Sequence, residues 1–271
     1  PMSPIHVIIS GASSVGKSTL VDECIQRFSQ DKKLKYKKFQ RIQEVARTVL
    51  NRLKLTGKDL QHYIQTKNSN AFCRTQEQII KEQVSYFDKH KESNYLSDRS
   101  GFDALAYVHL YFNDEQSVQR IFDAPTFQHL IDQCRLGLIF IVQPQEELQA
   151  QNDGMRIVPS YREQVEYTQF LQYWYQKAQL PYFVIADLDM TKRVEFIHEH
   201  INGRFHWSSS GMSIPLCLPF HLDKPKDSNC IRYIGILDKQ NLRISYEKYD
   251  ANRLVEKYDP SCSKNKFLSI A

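Results

Sequence analysis

Residues Ile5–Thr19 read IHVIISGASSVGKST, and this stretch decides the fold. Ile5–Ile9 is a short apolar run with the character of a buried strand. Gly11, Gly16, Lys17 and Ser18 follow in the spacing GxxxxGKS, and Leu20, Val21 and Cys24 carry an apolar face into a helix. Strand, loop and helix in that order are the setting in which such a loop cradles phosphate. Consecutive backbone N–H groups must converge on phosphate oxygens through a tight turn, which favours glycine at both ends. The helix then begins beneath the phosphates and adds its unsatisfied N–H groups and positive dipole end. Gly11, Ala12, Ser13, Ser14, Val15, Gly16, Lys17, Ser18 and Thr19 therefore form the expected nucleotide cradle. Lys17 is expected at the β- and γ-phosphates, and the Ser18 hydroxyl on Mg²⁺.

Composition sets the outer bounds. The 271 residues are 41% hydrophobic and 25% charged, an ordinary balance for a globular protein with a sizeable core. No run approaches the roughly 18 apolar residues of a membrane helix; Leu136–Val142 is the longest candidate. The start of the chain has no basic stretch followed by an apolar core, so no signal peptide is expected, and Pro1 ahead of Met2 reads as a residue left by tag cleavage. The cysteines are widely spaced with no CxxC pair, which argues against a zinc site or disulfide framework and for a reducing compartment, the cytoplasm or alternatively the nucleus.

Outward from the loop, Phe39–Glu44 reads as a second strand. Glu44–Arg47 then opens a helix through about Leu53, with Val45, Val49 and Leu50 on one face. Gly57 breaks the pattern, and a long helix is expected from about Ala71 to His90. Asn94–Ser100 is a short strand ending on Asp98 beside Arg99, where Asp98 would accept from Ser18 or a Mg²⁺-bound water and Arg99 would face a phosphate. Helices are expected near Phe102–Tyr111, Glu115–Phe122, Thr126–Cys134 and Thr191–Ile201, with strands at Leu136–Val142 and Pro181–Ile185. The alternation calls for an α/β fold with a five-stranded parallel sheet covered by helices on both faces. Between the last two strands, the polar stretch Gln143–Tyr161 exceeds a usual connection and reads as a lid or insertion. Arg156 and then Arg162 would close over the transferring phosphoryl group from there.

With these residues in view, the stretch from about His6 to Ile201 resembles the P-loop kinase-like family AAA_28. That family includes the ribosylnicotinamide kinase domain of the bacterial NAD-biosynthesis regulator and the ATPase-like domain of the TRPL translocation defect protein. The marks are GASSVGKST, EVAR at Glu44–Arg47, SDRS at Ser97–Ser100, FDALAY at Phe102–Tyr107 and DGMR at Asp153–Arg156. The EVAR and SDRS segments are also similar to those of deoxynucleoside kinases, which implies Glu44 as the general base at the acceptor hydroxyl, Asp98 working with Mg²⁺ and Arg99 on phosphate. Three departures weigh on Glu44: Gln43 replaces an expected Glu, Val45 replaces Pro, and Asp98 is shorter than Glu. Gln76 and Gln78 would present side-chain amides to the acceptor's base. The resemblance implies a P-loop NTPase fold of nucleoside-kinase type.

Residues 203–271 fall outside that pattern. Ser208–Gly211 reads as a linker, Pro215, Pro219 and Pro225 oppose helix, and Ile231–Leu237 with Leu242–Tyr246 suggests a β-hairpin in an appended β-rich extension. Asp250–Val255 resembles a stretch of cellular RNA-directed RNA polymerases over too few residues to carry a function. Charge is uneven: 25 basic against 24 acidic residues up to Asn202, and 11 against 7 from Gly203 on. The expected organisation is a nucleotide-binding domain over residues 1–202 and an extension over 203–271. The expected function is an ATP- and Mg²⁺-dependent kinase acting on a small-molecule acceptor such as a nucleoside. The alternative is a nucleotide-binding regulator, using ATP or GTP, that engages protein, RNA or anionic lipid through its basic extension. The absence of an NKxD segment leans toward ATP over GTP.

Overall fold

The computed structural model describes residues 4–32, 34, 38–146 and 159–210, together with short strands at 215–216, 232–238, 243–250 and 253–258. The chain divides into two compact units, one formed by Pro1–Leu180 with Val184–Ile201 and the other by Pro181–Phe183 with Asn202–Ala271.

The first unit is built on a sheet of β1 (His6–Gly11), β2 (Gln40–Ile42), β3 (Tyr95–Asp98), β4 (Gly137–Val142) and β5 (Phe183–Ile185), in the spatial order β2-β3-β1-β4-β5. Strand β1 lies at the centre, parallel to β3 and β4, with Ile9 beside Asp98 on one side and Phe140 on the other. Every residue of β1 is buried, as a strand covered on both faces requires. This register explains the site's location: the loop leaves the end of β1 where β3 ends on Asp98.

Helices cover the sheet. After α1 (Lys17–Gln30), α2 (Val45–Leu53) starts directly behind Glu44, and α4 (Ser69–His90) follows. Between them the chain forms α3 (Gly57–Gln65), where the sequence reading placed only a break at Gly57. The reason is a capping box: Thr56 N–H donates to Asp59 Oδ2 at 2.7 Å and Asp59 N–H returns to Thr56 Oγ1 at 3.4 Å, so Gly57 opens a helix instead of ending one. Next come α5 (Gly101–Phe112), α6 (Glu115–Asp123), α7 (Pro125–Arg135), α8 (Tyr161–Lys177) and α9 (Met190–Ser210). Helix α5 packs between α4 and α8. The expected strand Phe39–Glu44 shortens to Gln40–Ile42, and α9 continues through Ser208–Ser210, where a linker was expected; serine's weak helix propensity does not stop a helix already under way. The expected lid Gln143–Tyr161, including Arg156, lies largely outside the described residues.

The second unit contains β6 (Pro215–Leu216), β7 (Arg232–Asp238), β8 (Arg243–Asp250) and β9 (Arg253–Tyr258), an antiparallel sheet in that order. Strands β7 and β8 pair antiparallel, Arg232 opposite Tyr249. No helix among the described residues is long and apolar enough to cross a membrane.

Gly11 adopts φ 146°, and a Cβ there would stand 2.7 Å from Val142 O, a backbone atom of β4. Gly11→Ala is therefore expected to cost about 1–3 kcal/mol, seen as a melting temperature lower by several degrees in thermal unfolding. An unchanged melting temperature would contradict this packing.

Candidate active site

The loop leaves β1 through Gly11 and turns through Ser14 (φ 66°) and Gly16 (φ 84°) into α1. Gly16 caps the helix without a side-chain hydrogen bond, and the first turn holds no acidic residue. The first N–H groups of α1 are therefore available to an anion. Lys17 is buried and its Nζ donates to Ala12 O across the loop. Thr19 is exposed on the first turn of α1.

Asp98 and Ser18 meet as expected, with Ser18 Oγ donating to Asp98 Oδ2 at 2.5 Å. The other carboxylate oxygen, Oδ1, is buried without a hydrogen-bond partner among the described residues. A buried, half-satisfied carboxylate beside a loop hydroxyl is an oxygen donor set that suits Mg²⁺. Burial pushes the Asp98 carboxyl above its ordinary range, although Lys17 and Arg99 pull it back in part.

Arg99 was expected at a phosphate, and the structure turns its guanidinium inward instead. Its side chain is 6% exposed. Nε donates to Glu44 Oε1 at 2.9 Å, Nη1 to Gly11 O at 2.8 Å and Asp103 Oδ1 at 3.1 Å, and Nη2 to Ser13 Oγ at 3.2 Å. With every nitrogen engaged by protein, Arg99 braces the loop from behind. The φ of 81° at Arg99, directly after β3, brings the side chain to that position.

Glu44, at the cap of α2, is gripped by Arg99 on one oxygen and by Arg47 Nε at 3.1 Å on the other. Burial pushes its carboxyl up, but Arg99, Lys17 and Arg47 together outweigh that and hold it below the ordinary range, so it stays ionised. Glu44 lines a narrow cleft with Ser13, Phe72, Gln76, Ile79 and Tyr107. The cleft encloses about 60 Å³, below the roughly 300–1,000 Å³ of small-molecule sites, so an acceptor requires its walls to part. Roomier hollows of about 390 and 330 Å³ run along α9, but neither is lined by Lys17 or Glu44. Gln76 is 3% exposed and its amide has no partner among the described residues, whereas Gln78 points to solvent on another face. Arg162, 89% exposed, pairs with Glu166 on the outside of α8 and does not join the group; Arg156 lies outside the described residues.

Four residues given no role from sequence complete the site. Asp103 accepts from Ser10 Oγ at 2.7 Å, Gly11 N at 3.3 Å and Tyr167 Oη at 2.8 Å, tying β1, the loop and α8 to α5. Tyr107, one turn on, shares a 2.7 Å hydrogen bond with Ser13 Oγ and walls the cleft. Both fall in the FDALAY segment at i and i+4, a spacing that places them on one helix face. Gln164 and Arg193 reach loop carbonyls from α8 and α9, and no sequence signal marked them.

Comparison with known proteins gives the family and the fold. The family AAA_28, an AAA domain, matches residues 6–193. No curated protein sequence matches the chain. Among solved structures, NadR protein in complex with NR is similar over 73% of this chain and 52% of that one, at 17% identity and TM-score 0.53, so this chain spans about half its length. Thymidylate kinase from Candida albicans matches with TM-score 0.48 at 14% identity over 75% of this chain and 93% of its own. Shikimate kinase from Acinetobacter baumannii in complex with shikimate matches with TM-score 0.45 at 9% identity over 74% and 94%. At such identities the likeness is one of fold.

Burial, reinforced by Arg99, pushes the Lys17 ammonium down to about 8, with Asp98, Asp103 and Glu44 offsetting only part of the shift. A bound polyphosphate holds that proton on, so above this pH the bound state carries more protons than the free one and affinity falls as pH rises. Binding of inorganic tripolyphosphate is expected to be about tenfold weaker at pH 9 than at pH 7. Calorimetric titration checks this, and a flat profile over that range contradicts it.

Proposed function

The chain belongs to the AAA_28 family of AAA domains, and on that premise we propose that residues 1–202 form an ATP- and Mg²⁺-dependent phosphotransferase. Its acceptor is a small hydroxyl compound such as a nucleoside or ribosylnicotinamide. The observation that carries this reading is the Arg99-paired Glu44 carboxylate, which lines the same cleft as the loop residue Ser13 and the Gln76 amide, itself without a partner among the described residues. A phosphate loop that served hydrolysis alone would need no such second compartment.

In this mechanism the N–H groups of the loop and the Lys17 ammonium hold the β- and γ-phosphates. Ser18 and Asp98 would hold Mg²⁺, which when bound neutralises charge on the phosphate oxygens. Gln76 offers a donor and an acceptor to the flat polar edge of the acceptor, against Phe72 and Tyr107. Glu44 accepts the hydrogen bond of the acceptor hydroxyl and aims its oxygen at the γ-phosphorus. As the new O–P bond forms and the bond to the nucleoside diphosphate breaks, the hydroxyl proton passes to Glu44. A carboxylate held below its ordinary pKa is a weak base, but phosphoryl transfer through a loose transition state asks little proton abstraction before attack. Glu44 then acts chiefly by orientation.

A second reading rests on a different observation. Arg99 and Arg162, two of the arginines expected at the transferring group, are engaged elsewhere. That favours a regulatory module that binds ATP or GTP with slow chemistry and engages a protein, lipid or RNA partner through residues 203–271. Nucleotide turnover would then be independent of any acceptor.

The kinase reading sets three outcomes for steady-state kinetics. Lys17→Ala lowers turnover by roughly 10- to 100-fold through loss of a charge-assisted contact. Glu44→Gln lowers kcat by about 100-fold or more, and Gln76→Leu raises the acceptor KM about tenfold with kcat retained. Unchanged turnover in Lys17→Ala removes the mechanism.

A further inference from the structure

A trans peptide carries its carbonyl and the next residue's N–H on opposite edges. Whatever holds a loop carbonyl outward therefore turns the following N–H inward. Three carbonyls of the phosphate loop are held this way, by side chains from three separate elements. Arg99 Nη1 donates to Gly11 O at 2.8 Å, Gln164 Nε2 to Ser13 O at 3.3 Å, and Arg193 Nη1 to Val15 O at 2.9 Å. The N–H groups on the opposite edges of these alternating peptides belong to Ala12, Ser14 and Gly16. All three clasping side chains are buried.

Arg193 is the member with no direct ion pair among the described residues; the Asp187 carboxylate acts on it only from beyond contact distance. Arg193 is 1% exposed. Nε donates to Asp187 O at 2.5 Å, and Nη2 is buried with no acceptor. The Asp187 carboxylate is turned to Lys192 and to the Asp189 N–H. A guanidinium buried on neutral carbonyls is costly unless a nearby anion completes it. Its Nη1 also lies against the next residue, Gly16, the cap of α1: a Cβ there would stand 3.5 Å from Nη1.

We propose that Arg193 and Gln164 are positioning residues for nucleotide phosphate. With Arg99 they set the inward direction of the Ala12, Ser14 and Gly16 N–H groups, and Arg193 adds a fixed positive charge behind the helix cap. Phosphate affinity then depends on α8 and α9, outside the GxxxxGKS segment. The inference rests on the phosphate-loop reading but not on any acceptor, and it makes Arg193 the link between the loop and the β5–α9 turn through Asp187 O.

The test is calorimetric titration of the full chain with inorganic tripolyphosphate, which carries neither base nor sugar, on wild type, Arg193→Gln, Arg193→Lys and Gln164→Leu. Folding of each variant is checked by circular dichroism well below its melting temperature. Arg193→Gln is expected to bind about tenfold more weakly or worse, with a shallower salt dependence, Arg193→Lys to recover part of the loss, and Gln164→Leu to lose several-fold. A purely structural role would lower melting temperature and leave affinity of the folded protein unchanged. Wild type that fails to bind tripolyphosphate overturns the phosphate-loop reading itself. Wild type that binds, with a folded Arg193→Gln binding equally well, overturns this inference alone. If Arg193→Gln does not fold, Gln164→Leu decides in the same way.

Discussion

The Arg99 guanidinium is the junction on which the site depends. A guanidinium this deeply buried persists only where its charge is met and its donors are satisfied. Glu44 and Asp103 meet the charge, and Gly11 O, Ser13 Oγ and Tyr167 Oη take the remaining bonds. Those partners come from β1, the loop, the start of α2, α5 and α8. The ion pair to Glu44 therefore connects the phosphate loop to the cleft proposed for the acceptor, and neither shifts without breaking a buried charge-assisted bond. A left-handed backbone at a non-glycine residue costs about 1–2 kcal/mol, and Arg99 bears it because only that turn after β3 brings its side chain behind the loop.

The two halves differ in how complete they are. On the nucleotide side, Asp98 Oδ1 and Arg193 Nη2 are buried without partners, and the first turn of α1 has no side-chain cap. Groups of this kind destabilise a fold unless something else satisfies them; in the proposed function Mg²⁺ would meet the first and phosphate the helix start, while Arg193 would act from behind the loop. On the proposed acceptor side, each Glu44 oxygen takes a bond from one arginine, and the Gln76 amide meets no partner among the described residues. The cleft carries an ion-paired carboxylate and a side-chain amide between walls formed by Phe72, Ile79 and Tyr107.

Local signals made the framework legible in the sequence. Ile5–Thr19 carries strand, loop and helix in consecutive residues, so its reading needed no tertiary information, and the pairing of Ser18 with Asp98 followed from an acid at the end of a neighbouring strand. Residue function that depends on direction was not legible. Arg99 and Arg162 have the same chemistry on paper, and only packing decides that one braces the loop while the other stands in solvent beside Glu166. Helix α3 was missed because glycine at position 57 outweighed the flanking Thr56 and Asp59, whose reciprocal bonds are the actual start signal. Gln164 and Arg193 were invisible because they act on backbone carbonyls more than 150 residues away in the chain, a relation that no spacing encodes. Gln76 and Gln78 lie two residues apart on one helix, and the turn of that helix sends one into the cleft and the other outward.

The central claim is that this loop and this cleft act together on two substrates. The most direct test is nucleotide consumption by the purified chain with Mg²⁺ and ATP or GTP, across a panel of nucleosides that includes ribosylnicotinamide. Consumption that rises only when one class of hydroxyl acceptor is present, with formation of its phosphorylated product, is the result this account predicts. Nucleotide binding with turnover indifferent to every acceptor in the panel would contradict it.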